Sequence, residues 1–134
     1  MSEDLERVIR DSYEAYNRGD FEEAARAMHP EIEWDSGETS LMGDTVRGPG
    51  AVIERLKPDV FESQRGELLG VEIKSERAFI EMRFHAVGSG SGLKLVTPAW
   101  QVWTFQEGLV VRVQNFMERE QARAAAGLEA SRAQ

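Results

Sequence analysis

The 134-residue sequence contains no cysteine, only two histidines and only three lysines. The absence of cysteine excludes disulfides, thiolate nucleophiles and cysteine-ligated metals, and it is typical of a reducing compartment. The formal net charge is −8, and no basic stretch interrupts it. A nucleic acid backbone would be repelled by such a chain. We therefore expect no nucleic acid partner and a cytoplasmic location.

Long hydrophobic runs are also absent, and a membrane-spanning helix needs about 20 apolar residues. The N-terminal stretch MSEDLERVIRDSYEAY lacks the apolar segment and the cleavage site of a signal peptide. Hydrophobic residues at 41% and charged residues at 30% are close to the averages of globular proteins. These features predict a soluble protein with no membrane partner. The 13 arginines against three lysines are typical of a GC-rich bacterial genome.

Helical patterns dominate the N-terminal part of the chain. Apolar residues at helical spacing predict a first helix that Ser2 caps and that ends at the break Asn17-Arg18-Gly19-Asp20. FEEAARAM predicts a second helix of about two turns, capped by Asp20 and stopped before Pro30. EIEWD alternates as a short strand, SGETSLMGDTVRGPG is typical of a loop, and AVIERLKPDVF predicts a third helix interrupted at Pro58.

Strand patterns follow from residue 64 onward, in the segments RGELLGVEIKSE, RAFIEMRFHAV, LKLVTPAWQVWTF and LVVRVQNFM. Short turns between them indicate an antiparallel meander. The C-terminal EREQARAAAGLEASRAQ has helix propensity up to Gly127. Helices before strands predict a single α+β domain over residues 1–127, with helices packed on one face of a curved sheet. Residues 128–134 are expected to form a frayed tail.

The hairpin segment WQVWTFQEGLVVRVQNF carries amides among apolar residues. If three residues, Gln-Glu-Gly, connect its strands, Gln101 and Asn115 become neighbours on an inner apolar face. The residues expected on that face with them are Trp103, Leu109, Val111 and Val113. A two-residue turn would move one set to the opposite face. Amides do not titrate at neutral pH, so these two can pair with each other or orient a ligand, but cannot be an acid or base.

The strand before the hairpin offers a different kind of candidate. Ile80, Met82 and Phe84 alternate with Glu81, Arg83 and His85. The pattern predicts that the apolar face meets the helices, so His85 faces water or a dimer partner.

Several segments together resemble one known family: NRGD, MHPEIEW, RGPGAV, GSGSG and AWQVWTFQEGLVVRVQNFMERE followed by AAAGLEA. They are similar to the SnoaL-like group of the nuclear transport factor 2-like superfamily, over nearly the whole chain. The resemblance implies a cone-shaped, curved antiparallel sheet packed against three N-terminal helices, with a cavity between them. It also implies a homodimer formed through the outer face of the sheet, where Trp100, Val102 and Phe116 are expected.

The same resemblance bears on catalysis. In the polyketide cyclases of this group a histidine and an aspartate carry the chemistry, and their positions fall on Gln101 and Asn115. In the ketosteroid isomerases the base falls near Ser36, or on Asp35 if the alignment is offset by one. An ungapped alignment with the isomerases places His85 inside the cavity, contrary to the alternation. Asp35 and His85 are thus the remaining candidate bases.

We expect the cavity to bind a small, mostly apolar molecule. Trp34 and Trp103 are the expected walls, and Tyr13, Gln101 and Asn115 the groups that orient the molecule. Arg47, before the third helix, is a candidate clamp for an anionic group. No metal or cofactor is expected. The alternative is an isomerase, cyclase or lyase that acts on steroid- or polyketide-like substrates by proton transfer.

Overall fold

The computed structural model describes residues 2–36, 45–57 and 61–128. In chain order the elements are α1 (Ser2–Asn17), α2 (Phe21–Ala24), β1 (Met28–Asp35), β2 (Thr45–Arg47), α3 (Pro49–Leu56), β3 (Phe61–Lys74), β4 (Arg77–Gly88), β5 (Lys94–Gln106), β6 (Leu109–Phe116) and α4 (Arg119–Ala125). No helix in these ranges is long and apolar enough to cross a membrane.

The six strands form one curved sheet in the order β2-β1-β6-β5-β4-β3. The four long strands β3 to β6 pair in antiparallel fashion, as the meander predicted. The α+β class is therefore confirmed. The parallel pair of β1 with β6 was not predicted, because the alternation within a strand carries no information about distant pairing.

The first three helices lie over the inner face of the sheet. The main core joins Ile9 of α1 and Val52 of α3 to strand residues such as Ile80 and Val113. Asn17, at the end of α1, forms two hydrogen bonds with the backbone of Gly66 in β3: its Nδ2 donates to the carbonyl at 2.9 Å, and its Oδ1 accepts from the N–H at 2.8 Å. The end of α1 is thus fixed to the sheet.

The second helix is shorter than predicted. Asp20 caps it as expected, since its Oδ1 accepts from the N–H of Glu23 at 3.1 Å, but α2 ends at Ala24. The hydroxyl of Ser12 donates to the carbonyl of Ala24 at 2.7 Å and so satisfies a group at the helix end. The chain then turns into β1 from Met28. Sheet pairing with β6 competes with the helix here.

The predicted loop between β1 and α3 contains a short strand, since Thr45–Arg47 pairs with the end of β1. The rest of that loop, residues 37–44, lies outside the described residues, as does the predicted interruption at Pro58.

The hairpin of β5 and β6 has a two-residue turn, not the predicted three-residue connection. Gln106 pairs with Leu109, and Glu107 and Gly108 both have positive φ, 54° and 82°. This is the conformation of a tight hairpin turn that favours glycine.

A β-bulge follows the turn and compensates for its length. Phe105 pairs with Val110, but Thr104 pairs with Arg112, so one extra residue, Val111, lies in β6. Val110 is 1% exposed in the core, whereas Leu109 is 37% exposed. The expectation that Leu109 and Val111 face the core was therefore wrong.

Beyond the bulge the predicted arrangement holds. Trp103 pairs with Val113, and Gln101 pairs with Asn115. The alternation in β4 is also confirmed, because Ile80, Met82 and Phe84 belong to the main core or pack against it. His85 therefore lies on the outer face, and the alignment that placed it inside the cavity is wrong.

The outer face of the sheet is partly covered by α4. Val102 is fully buried there with Phe79, under Ala122 and Ala126. Trp100 and Phe116 lie on the same face, as predicted, but both are partly buried against this cluster. The small alanine side chains let the helix pack closely on the sheet. Val102 is thus covered by its own chain, and its predicted role as a dimer contact is wrong.

Ion pairs hold α4 in place around this cluster. Arg119 Nε lies 2.9 Å from Glu81 Oε2, and Arg123 Nη1 lies 3.0 Å from Glu72 Oε1. Both guanidinium groups also lie over the ring of Phe79, at 5.5 and 5.2 Å from its centroid.

Candidate ligand-binding site

A cavity of about 570 Å³ lies between the N-terminal helices and the inner face of the sheet. This volume is within the range of small-molecule sites. Most of its wall is apolar and includes Trp34, Met82, Phe84, Leu95, Ala99 and Trp103.

A chain of hydrogen bonds crosses one wall of the cavity. Tyr13 O–H and Trp103 Nε1–H both donate to Gln101 Oε1, at 2.6 and 3.0 Å. Gln101 Nε2 donates to Asn115 Oδ1 at 2.9 Å, and Asn115 Nδ2 donates to the carbonyl of Asp35 at 2.9 Å. Both amides are therefore bonded to each other and to fixed neighbours.

The direction of this chain is determined at both ends. An indole N–H can only donate, so the Gln101 atom that faces Trp103 must be oxygen. A backbone carbonyl can only accept, so the Asn115 atom that faces Asp35 must be nitrogen. The side-chain oxygen of Gln101 is thus used by two donors, while each amide nitrogen keeps a second hydrogen.

The two tyrosines in the cavity wall are neutral phenols at physiological pH. Burial raises the pKa of Tyr13 far above its ordinary value, and the nearby Tyr16 raises it further. Burial also raises the pKa of Tyr16, to about 12, although the hydrogen bond from Gln64 opposes the shift. A phenol in this state is a hydrogen-bonding group and not a base.

Two cations also line the cavity. Arg55 Nη1 donates to Ser36 Oγ at 2.7 Å, and Ser36 is buried. Lys57 Nζ lies 2.9 Å from Glu54 Oε2, and about half of the Lys57 side chain is exposed. Arg55 was not predicted as a site residue. Helical spacing was the available signal, because Arg55 follows the buried Val52 by three residues and so shares its face of α3.

Five of the six residues predicted to bind a ligand line this cavity: Tyr13, Trp34, Gln101, Trp103 and Asn115. Arg47 does not. Its neighbour Val46 packs against the core, so the alternation of side chains along β2 turns Arg47 away from the cavity. There Arg47 Nη2 lies 2.9 Å from Glu33 Oε2.

The two candidate bases lie outside the cavity wall. Asp35 pairs with Gln114 in the sheet, one residue after the inward Trp34, and it is Ser36 that lines the cavity. His85 Nε2 is 2.8 Å from Glu67 Oε1 on the outer face. Among the described residues that line the cavity there is no carboxylate and no imidazole. The described ranges also contain no group of three potential ligands for a metal ion.

A known family matches most of the chain. The chain belongs to the SnoaL-like domain family, which matches residues 9–113. Comparison with curated proteins returned no match.

Solved structures with the same fold span almost the whole chain. TerC co-crystallized with polyporic acid is 19% identical, with 86% of this chain and 92% of that chain covered and a TM-score of 0.74. A putative polyketide cyclase from Xanthomonas campestris is 20% identical, with 91% and 96% covered and a TM-score of 0.66. A protein with a ketosteroid isomerase-like fold from Catenulispora acidiphila, in complex with trimethylamine, is 11% identical, with 91% and 93% covered and a TM-score of 0.73. At these identities the similarity shows the fold alone.

Proposed function

We propose that this chain binds a small, mostly apolar molecule in the cavity between its helices and its sheet. The observation that carries the proposal is the wall itself: it is apolar, its two amides are bonded to each other, and its described residues include no carboxylate or imidazole. Solved structures with the same fold include TerC co-crystallized with polyporic acid and the Catenulispora acidiphila protein in complex with trimethylamine, which supports small-molecule binding by a protein of this fold.

In this proposal the hydrogen-bond chain orients the bound molecule. Tyr13 and Trp103 hold Gln101 in one orientation, and the carbonyl of Asp35 holds Asn115. The second hydrogens of the two amide groups can then meet a polar atom of the ligand without rearrangement, which lowers the entropic cost of binding. Trp34 and Trp103 supply apolar contact area.

Binding is tested with tryptophan fluorescence and calorimetry on a panel of small aromatic and alicyclic compounds. Thr97→Phe places a ring in the cavity, because Thr97 lines it from β5. Gln106→Phe is the matched control, since Gln106 is exposed at the end of the same strand. We expect Thr97→Phe to weaken binding at least about tenfold and the control to leave it unchanged. Equal binding by both variants, or no binding by the unmodified chain, would contradict the proposal.

The alternative function is proton-transfer catalysis as an isomerase, cyclase or lyase. Membership of the SnoaL-like family supports it, but it needs a base that the described cavity wall lacks. Turnover of enone or polyketide substrates with a bell-shaped pH profile would support it. We expect Asp35→Asn and His85→Ala to leave any turnover unchanged, because neither residue lines the cavity.

A gain-of-function variant gives a sharper test of this alternative. Gln101→His combined with Asn115→Asp restores the pair found in the cyclases that the sequence resembles. A pH-dependent turnover that appears only in the double variant would show that the cavity holds a substrate in the cyclase-like orientation. Turnover already present in the unmodified chain would favour the catalytic alternative over binding without chemistry.

We also propose a cytoplasmic location.

We further propose that the chain forms a homodimer through the outer face of the sheet. The part of that face around His85 carries Val96, which is 54% exposed. Sedimentation equilibrium of the unmodified chain and of Val96→Glu tests the dimer. A monomeric unmodified chain would contradict it.

A further inference from the structure

The charged side chains that the described part of the chain contributes to the cavity wall have one sign. Arg55 and Lys57 are the charged side chains among its described lining residues, in a chain whose net charge is −8. Arg47 on the opposite side of the sheet is paired with a carboxylate, whereas the hydrogen bond of Arg55 goes to the neutral hydroxyl of Ser36. That hydroxyl does not neutralise the guanidinium.

Arg55 is suited to an anionic ligand group. It is only partly exposed and lies beside an apolar wall, so its charge is partly desolvated. A desolvated charge is costly unless it is paired, and a guanidinium matches a planar oxyanion with two parallel hydrogen bonds. Lys57 differs, since its ammonium group is paired with Glu54 and half exposed. It adds positive potential at the same end of the cavity.

The hydrogen-bond chain points its donors toward this end. Asn115 Nδ2 donates to the carbonyl of Asp35, and the next residue, Ser36, is the partner of Arg55. The oxygen of Gln101 is already used by Tyr13 and Trp103. The amide nitrogen of Asn115 and the guanidinium of Arg55 therefore adjoin the same short segment, and both are donors.

We infer that the cavity selects molecules with an apolar body and one planar oxyanion of the carboxylate type, held by Arg55. This inference rests on the proposed function, because it names the class of ligand for the same cavity. It predicts that an acid is preferred to its neutral amide and that an amine with the same body is rejected.

Calorimetric titration with matched probes tests the inference. The probes are naphthoate and naphthamide, biphenylcarboxylate and biphenylcarboxamide, and a naphthylmethyl trimethylammonium salt. We expect the unmodified chain to bind each carboxylate about tenfold more tightly than its carboxamide, and the ammonium salt least. Arg55→Met should remove the preference and Arg55→Lys should keep part of it. The control Arg47→Gln, away from the cavity, should keep all of it.

The outcomes separate this inference from the function on which it rests. If each carboxylate binds no more tightly than its carboxamide, or if Arg55→Met keeps the preference, the inference is overturned while binding in the cavity stands. If no probe binds, the proposed function fails as well. Arg55→Gln can still donate to Ser36 and replaces Arg55→Met if circular dichroism shows that the latter does not fold.

Discussion

Gln101 is the centre of the hydrogen-bond chain, and its removal has a consequence that can be worked out from the contacts. Gln101→Leu leaves the indole N–H of Trp103 and the hydroxyl of Tyr13 without their acceptor. Both donors are buried, at 3% and 8% exposure. The oxygen of Asn115 loses its donor too, but it borders the cavity and can accept from water.

The free-energy cost follows from these three groups. A buried donor without a partner costs about 1 to 3 kcal/mol. Trp103 has no other acceptor among the described residues, whereas Tyr13 can turn toward Met82 Sδ, 3.2 Å away, and so recover part of its loss. We therefore expect Gln101→Leu to lower the free energy of unfolding by roughly 2 to 4 kcal/mol.

Gln101→Glu gives a pH-dependent counterpart. The protonated carboxyl group reproduces the amide pattern, because one oxygen accepts from Tyr13 and Trp103 while the O–H donates to Asn115. In the ionised form a carboxylate oxygen instead faces Asn115 Oδ1, and the two oxygens repel each other. The amide group of Asn115 cannot flip to relieve this repulsion, because the flip would turn Oδ1 toward the carbonyl oxygen of Asp35. The folded state thus favours the protonated form and raises the pKa of the introduced glutamate above its ordinary value of about 4.3.

The sign of the pH effect follows from this shift. Between the unfolded pKa and the raised folded pKa, the folded variant binds more protons than the unfolded chain, so its stability falls as pH rises. Urea unfolding at a series of pH values, followed by circular dichroism, measures this effect against Gln106→Glu at the exposed end of the strand. A pH dependence equal to that of the control would refute the assigned direction of the hydrogen bonds. So would a Gln101→Leu variant as stable as the unmodified chain.

Two further predictions concern how the cavity and the outer face are built. A Cβ added at Gly66 would lie 3.2 Å from Cε2 of Tyr13, so Gly66→Ala should lower the free energy of unfolding by about 1 kcal/mol, while Gly50→Ala in open space should not lower it. Equal urea midpoints would show that the ring has room to move. The hydrogen bond from Arg119 holds the pKa of Glu81 below its usual value. The ion pair therefore stabilises the docking of α4 fully when the pH is above the usual pKa of a glutamate, and this stabilisation is lost as the pH falls through the lowered pKa of Glu81. Amide hydrogen exchange in α4 should therefore be faster in Glu81→Gln near pH 7 but not near pH 3, and equal rates near pH 7 would contradict this role.

Local patterns predicted much of this structure. The alternation of apolar and charged residues in β4 placed Ile80 inside and His85 outside, because side-chain direction in a strand depends only on position. The pairing of Gln101 with Asn115 was also predicted, but from a three-residue turn. The turn has two residues, and the bulge at Val111 supplies the residue that restores the pairing. The break at Asn17 and the cap at Asp20 were also found, since both depend on neighbours in sequence.

Interactions between distant segments accounted for the failures. The length of α2 depends on sheet pairing with β6, and burial of Val102 depends on the docking of α4. Arg55 enters the cavity because of the way α3 packs, although its helical spacing from Val52 was visible in the sequence. Arg47 was placed in the site from its position before α3, without the pairing of β2 that turns it outward.

The hairpin could tolerate a paired insertion and deletion. A residue lost at the bulge, Val111, can be compensated by a residue gained in the tight turn at Glu107 and Gly108. Removing Val111 alone would shift the register of the rest of β6 by one residue and turn Asn115 away from Gln101. Adding one residue to the turn at the same time would restore their pairing, so relatives can differ at both places and keep the same wall. If this chain were aligned without gaps to such a relative, the residues between the turn and the bulge would be mismatched, with inward residues set against outward ones. Gln101 and Asn115 lie outside that short segment and would still be aligned correctly.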